Sequence, residues 1–247
     1  MQPWLIDTDL IRLPAWVPLV ACAAVVVIAA MRHHARRVGL SNREAVDSGW
    51  IVFPAALVGA RLGDVALGNP ALLRYPTALL DPLGGYSLYG AAIGGLIGAL
   101  VYARQRRLDT RALVDAWALG ALLAFPLARM ACLAVGCCYG RAVDGVIGVT
   151  IRAGGHPMQG VSVHPVVLYE AITTLLLFVL LARTPREAKP GRIAVGAALG
   201  YSVCRILLDP LRDDGARGVL FGPVSASQLA AGLTILAALT AWRAHIR

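Results

Sequence analysis

Long apolar runs separated by short polar stretches make up almost the whole chain, and the length of each run says more than its period. An amphipathic helix or strand alternates apolar with polar positions. These runs of roughly 17 to 25 residues stay apolar on all sides, as a helix must where hydrocarbon rather than water surrounds it. Spans are therefore predicted over about 16–31, 50–67, 86–102, 112–135, 164–181, 193–208 and 223–242. Residues 69–85, with Pro70, Pro76 and Pro82, read as a loop, and 136–163 as a long irregular head segment on the outer side. The expected fold is all-α, a polytopic membrane protein of seven transmembrane helices in which 1–247 form a single integral-membrane domain.

Composition agrees with this pattern. Hydrophobic residues make up 58% and charged residues 15% of the 247, and the mean hydropathy is +0.68. A soluble domain carries about 25% charged residues. The net charge of +9 does not point to nucleic acid, because a nucleic-acid binder gathers its charge on one water-facing surface. Here it falls in clusters at every second connection: Arg32, Arg36, Arg37 and Arg43; Arg104, Arg106, Arg107 and Arg111; Arg183, Arg186, Lys189 and Arg192; and Arg243 and Arg247 in the tail. That asymmetry predicts an N-terminus outside and a C-terminus in the cytoplasm. The first residues lack a basic stretch and a small-residue cleavage site, so the first apolar run reads as a retained span.

The arginines that break the rule carry the candidate chemistry. Arg12, Arg61, Arg74, Arg129, Arg141, Arg152, Arg205, Arg212 and Arg217 lie within spans or on the outer side. Single loop charges such as Arg74 and Arg152 read as solvated. Arg61 and Arg129 sit inside apolar segments, where a guanidinium is costly unless it meets an anion, and Arg212 follows the sixth span in an acid-rich turn. Several forks near one membrane face suit a lipid phosphate, which pairs bidentately with arginine. Glu170, nearly two turns into the fifth span, has to be protonated or paired, and an ion pair with a buried arginine is expected. His164 is six residues from Glu170 and off its helical face. Preceding Pro165, it reads as a capping or hydrogen-bonding residue at the rim.

Five cysteines, Cys22, Cys132, Cys137, Cys138 and Cys204, are too few for a disulfide scaffold and show no C-x2-C zinc spacing. A metal site made of Cys137, Cys138, His156 and His164 is disfavoured because neighbouring cysteines rarely both reach one tetrahedral centre. The thiols read first as small buried hydrophobes. A disulfide or a transient lipid thioether at Cys137 or Cys138 stays open. Gly90, Gly94, Gly95 and Gly98 offer a small-residue face for close helix packing and no chemistry of their own.

Five stretches in order resemble one known family, the bacterial prolipoprotein diacylglyceryl transferases. They are Gly59-Ala-Arg61-Leu-Gly63, Tyr86-Ser-Leu-Tyr89-Gly-Ala-Ala-Ile-Gly-Gly95, Arg129 through Arg141, His164-Pro-Val-Val-Leu-Tyr-Glu170, and Arg205 to Asp214. The resemblance implies an enzyme of the bacterial plasma (inner) membrane. It would move the diacylglyceryl group of phosphatidylglycerol to the thiol of a lipobox cysteine in a signal-peptide-bearing preprolipoprotein, releasing glycerol 1-phosphate. Its partners would be those two substrates and membrane lipid, with no nucleic acid, no metal and no organic cofactor. Carried over by the match, Arg129 and Arg212 hold the phosphate and stabilise its developing charge, and Tyr89 acts near the incoming thiol. Arg61, Cys132, Gly140, Arg141, His164, Glu170 and Arg205 form the rest of the substrate site.

The chain departs from the family pattern at named positions. Tyr89 stands where the family usually has histidine, and a tyrosine of ordinary pKa, about 10, serves as a hydrogen-bond partner rather than a base. Cys132 replaces an asparagine, and Cys137 and Cys138 replace polar residues. Two further readings remain open: a divergent paralogue with another acceptor, and a non-catalytic protein that binds or transports anionic phospholipid. Transport would call for internal repeats, and the sequence displays none.

Overall fold

The computed structural model describes residues 4–7, 12–14, 16–68, 77, 85–151, 158–185, 187–213, 219–221 and 224–246. Among these, seven long helices follow the apolar runs: α1 (Trp16–Ala35), α3 (Gly49–Gly68), α4 (Leu88–Arg106), α5 (Thr110–Val135), α6 (Val166–Leu181), α7 (Arg192–Leu208) and α8 (Ala226–Ile246). A short α2 (Asn42–Asp47), not predicted, precedes α3. Its start is explained by a capping box: the Ser41 hydroxyl accepts from the Glu44 N–H at 3.1 Å, and the Glu44 carboxylate accepts from the Ser41 N–H at 2.8 Å. Among the described residues, four segments are long and apolar enough to cross a membrane, Val17–Ala35, Asn42–Ala66, Thr110–Ala134 and Arg192–Leu211, and Val166–Leu181 is a shorter apolar helix.

The chain is mostly helical, as expected, with short ribbons in addition. Among the described residues, three two-stranded antiparallel ribbons lie outside the helices: β1 (Trp4–Asp7) with β2 (Arg12–Pro14) ahead of α1, and, in connections, β3 (Val149–Thr150) with β4 (Ser162–Val163) and β5 (Val219–Phe221) with β6 (Val224–Ser225). A connection that folds back on itself must pair the peptide groups it removes from water, and a short ribbon does so locally. The head segment 136–163 thus contains ordered pairing rather than irregular chain alone.

The helices and ribbons group into two compact units. One comprises Ala30–Ala118 and Pro185–Ala194, and the other Met1–Ala29, Leu119–Thr184 and Val195–Arg247. In the first unit α3 and α4 approach to backbone contact. A Cβ added at Gly94 would lie 3.0 Å from the Gly59 Cα, and one at Gly98 would lie 3.1 Å from the Val52 Cα. Only glycine permits this approach. A Cβ at Gly95, one position round the helix, would meet only side chains at ordinary distance, the Ala56 methyl at 3.6 Å and the Val52 Cγ1 at 3.8 Å, so Gly95 is not part of the backbone seam. In the same unit, the fully buried Ser48 accepts from the Trp117 indole at 3.1 Å. The Asp115 carboxylate accepts from the Gly191 and Ala194 N–H groups, both at 2.7 Å, satisfying donors that the first turn of α7 leaves unpaired. The second unit carries the ribbons and the cluster of buried charge.

Candidate active site

The stretch from Arg129 to Arg141 starts as the last turns of α5. Gly136, with φ +83°, ends the helix. Its N–H donates to the Leu133 carbonyl at 3.3 Å and the Cys137 N–H to the Cys132 carbonyl at 3.1 Å, the paired bonds of a Schellman C-cap. The chain then runs between two other segments. The Gly140 N–H donates to the His164 carbonyl at 3.0 Å, the His164 N–H to the Arg141 carbonyl at 3.0 Å, and the Arg141 N–H to the Leu211 carbonyl at 2.8 Å. A Cβ on Gly140 would sit 2.6 Å from the His164 Cβ and 2.8 Å from the Leu211 carbonyl oxygen, so this position has no room for a side chain. The segment therefore ties the entry to α6 to the exit from α7 through its backbone.

That tie sets three arginines around one carboxylate. Glu170, on α6 and 2% exposed, is paired with Arg129 (Nε to Oε2, 2.7 Å), with Arg205 of α7 through Oε1, and with Arg212 at a longer 3.8 Å. Arg205 also reaches Asp209 at 3.7 Å, one turn further on. Asp209 is fully buried in the 3-10 turn Asp209–Leu211, and its carboxylate accepts from the Ser225 hydroxyl at 2.7 Å and from Ser227. The Arg129 guanidinium lies 4.5 Å from the centre of the Phe125 ring, whose edge meets Tyr201. These five ionised groups are three cations and two anions, all 9% exposed or less. Buried ion pairs at best break even against apolar packing of the same volume, so stability alone does not account for such a cluster. Charge held this deep in an apolar helical protein makes the cluster the candidate functional centre.

Three thiols adjoin it. The Arg129 Nη1 is 3.8 Å from the Cys132 Sγ and 4.0 Å from the Cys138 Sγ, and all three sulfurs of Cys132, Cys137 and Cys138 lie within 4.8 Å of one another. Cys138 adopts φ +62°, rare for a residue with a side chain. Hydrogen bonding to Cys132 and Cys138 pushes the Cys137 thiol above its ordinary pKa. His164 does not join them. Its Nδ1 lies 3.4 Å from the Tyr169 hydroxyl, and Pro165 occupies the N-cap of α6 without a side-chain cap, so the ring hydrogen-bonds within its own segment and caps nothing.

The remaining predicted positions lie elsewhere. Arg61 and Tyr89 belong to the other unit. Arg61, 6% exposed in the middle of α3, donates to the Gly85 carbonyl at 2.9 Å, pairs with Asp64 at 3.4 Å and lies over the Tyr86 ring. Tyr89 is half-buried in the first turn of α4. The Arg141 side chain is exposed, and its backbone does the joining described above. Asp209 and its two serines were not foreseen, although an acid four residues after Arg205 is a readable helical pair. Arg74, Arg152, His156, Arg186, Asp214, Arg217, Arg247 and most of the 69–85 loop lie outside the described residues.

Apolar helices of membrane-crossing length around a buried cluster of arginines define a helical membrane protein with a cationic centre. The chain belongs to the prolipoprotein diacylglyceryl transferase family, whose family model matches residues 5–244. Among the similar proteins, each named phosphatidylglycerol–prolipoprotein diacylglyceryl transferase, that of Symbiobacterium thermophilum is 30% identical over 201 residues, covering 78% of this chain and 74% of the relative. That of Clostridioides difficile is 24% identical over 225 residues, covering 90% and 87%. That of Methylocella silvestris is 32% identical over 195 residues, covering 73% and 70%.

Proposed function

We propose that this chain transfers the diacylglyceryl group of phosphatidylglycerol to the lipobox cysteine of a signal-peptide-bearing preprolipoprotein. It works as a single seven-span domain in a bacterial plasma membrane, with its N-terminus outside and its C-terminus in the cytoplasm. Membership of the family and the names of its relatives support the reaction. Seven long helices with arginine clusters at every second connection support the topology.

In the transfer, the acceptor sulfur forms a bond to the glyceryl carbon while that carbon's bond to the phosphate oxygen breaks. The electron pair leaves with glycerol 1-phosphate, and the thiol proton passes to a nearby acceptor. The energetic demand is the charge that builds on the phosphate. Arg129 and Arg212 meet it, and their forks need no reorientation because Glu170 already orders them. Arg205, braced by Asp209, positions Glu170. Arg61 shapes the lipid site, and Tyr89 hydrogen-bonds the incoming thiol. Cys132, Gly140, Arg141 and His164 complete the walls.

The observation that carries this reading is the convergence of three guanidinium groups from the ends of α5 and α7 on one buried carboxylate. Its test uses the purified chain with radiolabelled phosphatidylglycerol and a lipobox peptide. Arg129→Ala and Arg212→Ala should each lower kcat by about a hundred- to a thousandfold. A wild-type protein that binds the lipid but transfers no label would replace this reading with the non-catalytic one.

A further inference from the structure

We propose that Cys132, Cys137 and Cys138 form a three-thiolate site for one soft metal ion of the cadmium, zinc or copper(I) class. The argument starts with the helix end. In a Schellman cap the side chain two positions past the C-cap packs on the side chain in the last turn whose carbonyl it bonds. Here those two residues are Cys137 and Cys132, so the contact usually made by two apolar groups is made by two sulfurs. Cys138, in its left-handed conformation, contributes the third. All three sulfurs lie within 4.8 Å of one another. Three sulfurs on a common ion, each at about 2.3 Å, stand roughly 4 Å apart, so small side-chain rotations close the site.

Charge and access fit as well. Binding replaces three S–H bonds with three metal–sulfur bonds and releases three protons to solvent. The resulting anionic centre needs a counter-charge in an apolar setting, and the Arg129 guanidinium is already placed against two of the sulfurs. Cys137 is exposed, which gives the ion a way in. An all-sulfur donor set selects a thiophilic ion over magnesium or calcium. His164 is turned toward Tyr169, so the three sulfurs make up the donor set.

The inference does not depend on the transferase reading, because its readout is metal binding. The reduced full-length chain in detergent is titrated with cadmium(II) and followed by thiolate-to-metal charge-transfer absorption and by proton release. The expected result is saturation at one equivalent. Cys132→Ser, Cys137→Ser and Cys138→Ser should each weaken binding by at least about tenfold, while the double variant Cys22→Ser/Cys204→Ser keeps it unchanged. Circular dichroism confirms that each variant retains its helices, and the exposed Cys137 is the position least prone to misfold when changed. No charge-transfer band in the wild type, or a band that survives Cys137→Ser at full affinity, overturns the proposal.

Discussion

Between α3 and α4 the contact is made by backbone against backbone, whereas α5, α6 and α7 meet through ionised side chains. Both contacts join largely apolar helices, and burial of apolar surface gives no net drive to associate where the surroundings are hydrocarbon. The glycine seam answers this with close van der Waals approach and leaves nothing reactive behind. The arginine cluster answers it with groups that are costly to bury, so that its packing holds only while the charges stay matched. The lesson is that the candidate chemistry gathers where the helix contact is energetically the poorer choice. The thiols of Cys132 and Cys138 lie against the charged contact, beside Arg129.

The largest effect expected of any single change falls on the charged contact. Glu170→Ala leaves three guanidinium groups facing one another without their shared anion, and should cost about 3–5 kcal/mol of stability along with all lipid transfer. Thermal denaturation in detergent, read beside the labelling assay, checks both. A variant that loses transfer and keeps its melting temperature would show that Glu170 does not hold the cluster together.

A smaller loss is expected at the seam. Gly94→Ala improves helix propensity by about 1 kcal/mol, but its methyl meets backbone atoms of α3 that cannot swing aside. Overpacking of that kind costs about 1–3 kcal/mol, so the net change is destabilising, measurable as a lower melting temperature with little direct effect on the transfer step. The least effect belongs to Gly95→Ala one residue along. Its methyl makes ordinary contact with Ala56, so the propensity gain of up to about 1 kcal/mol should stand alone. If the two alanines destabilise equally, the seam is not where the structure puts it.

Much of the architecture is legible from the chain alone. Each long helix lies within a few residues of its apolar run, because in lipid every backbone group must be satisfied within its own segment, and run length then dictates the element. The ion pair of Glu170 with a buried arginine is readable for a similar reason: a carboxylate that deep has few ways to exist. The ribbons and α2 were harder to see, since short elements depend on a few capping and pairing bonds that leave weak patterns. The nearness of Cys132 to Cys137 and Cys138 depends on the turn at Gly136, the position that closes the helix end.

Amino-acid order was enough to set the helices, the connections and the presence of costly charge, since each follows from local hydropathy and the price of burying an ion. Which arginine shares which carboxylate, that Arg212 joins Arg129 and Arg205 on Glu170, and that three thiols come to one point were decided only in three dimensions. The arginine contacts link residues far apart in the chain, and the backbone bonds at Gly140 help bring their segments together; the thiols, close in sequence, meet because Gly136 turns the chain back at the helix end.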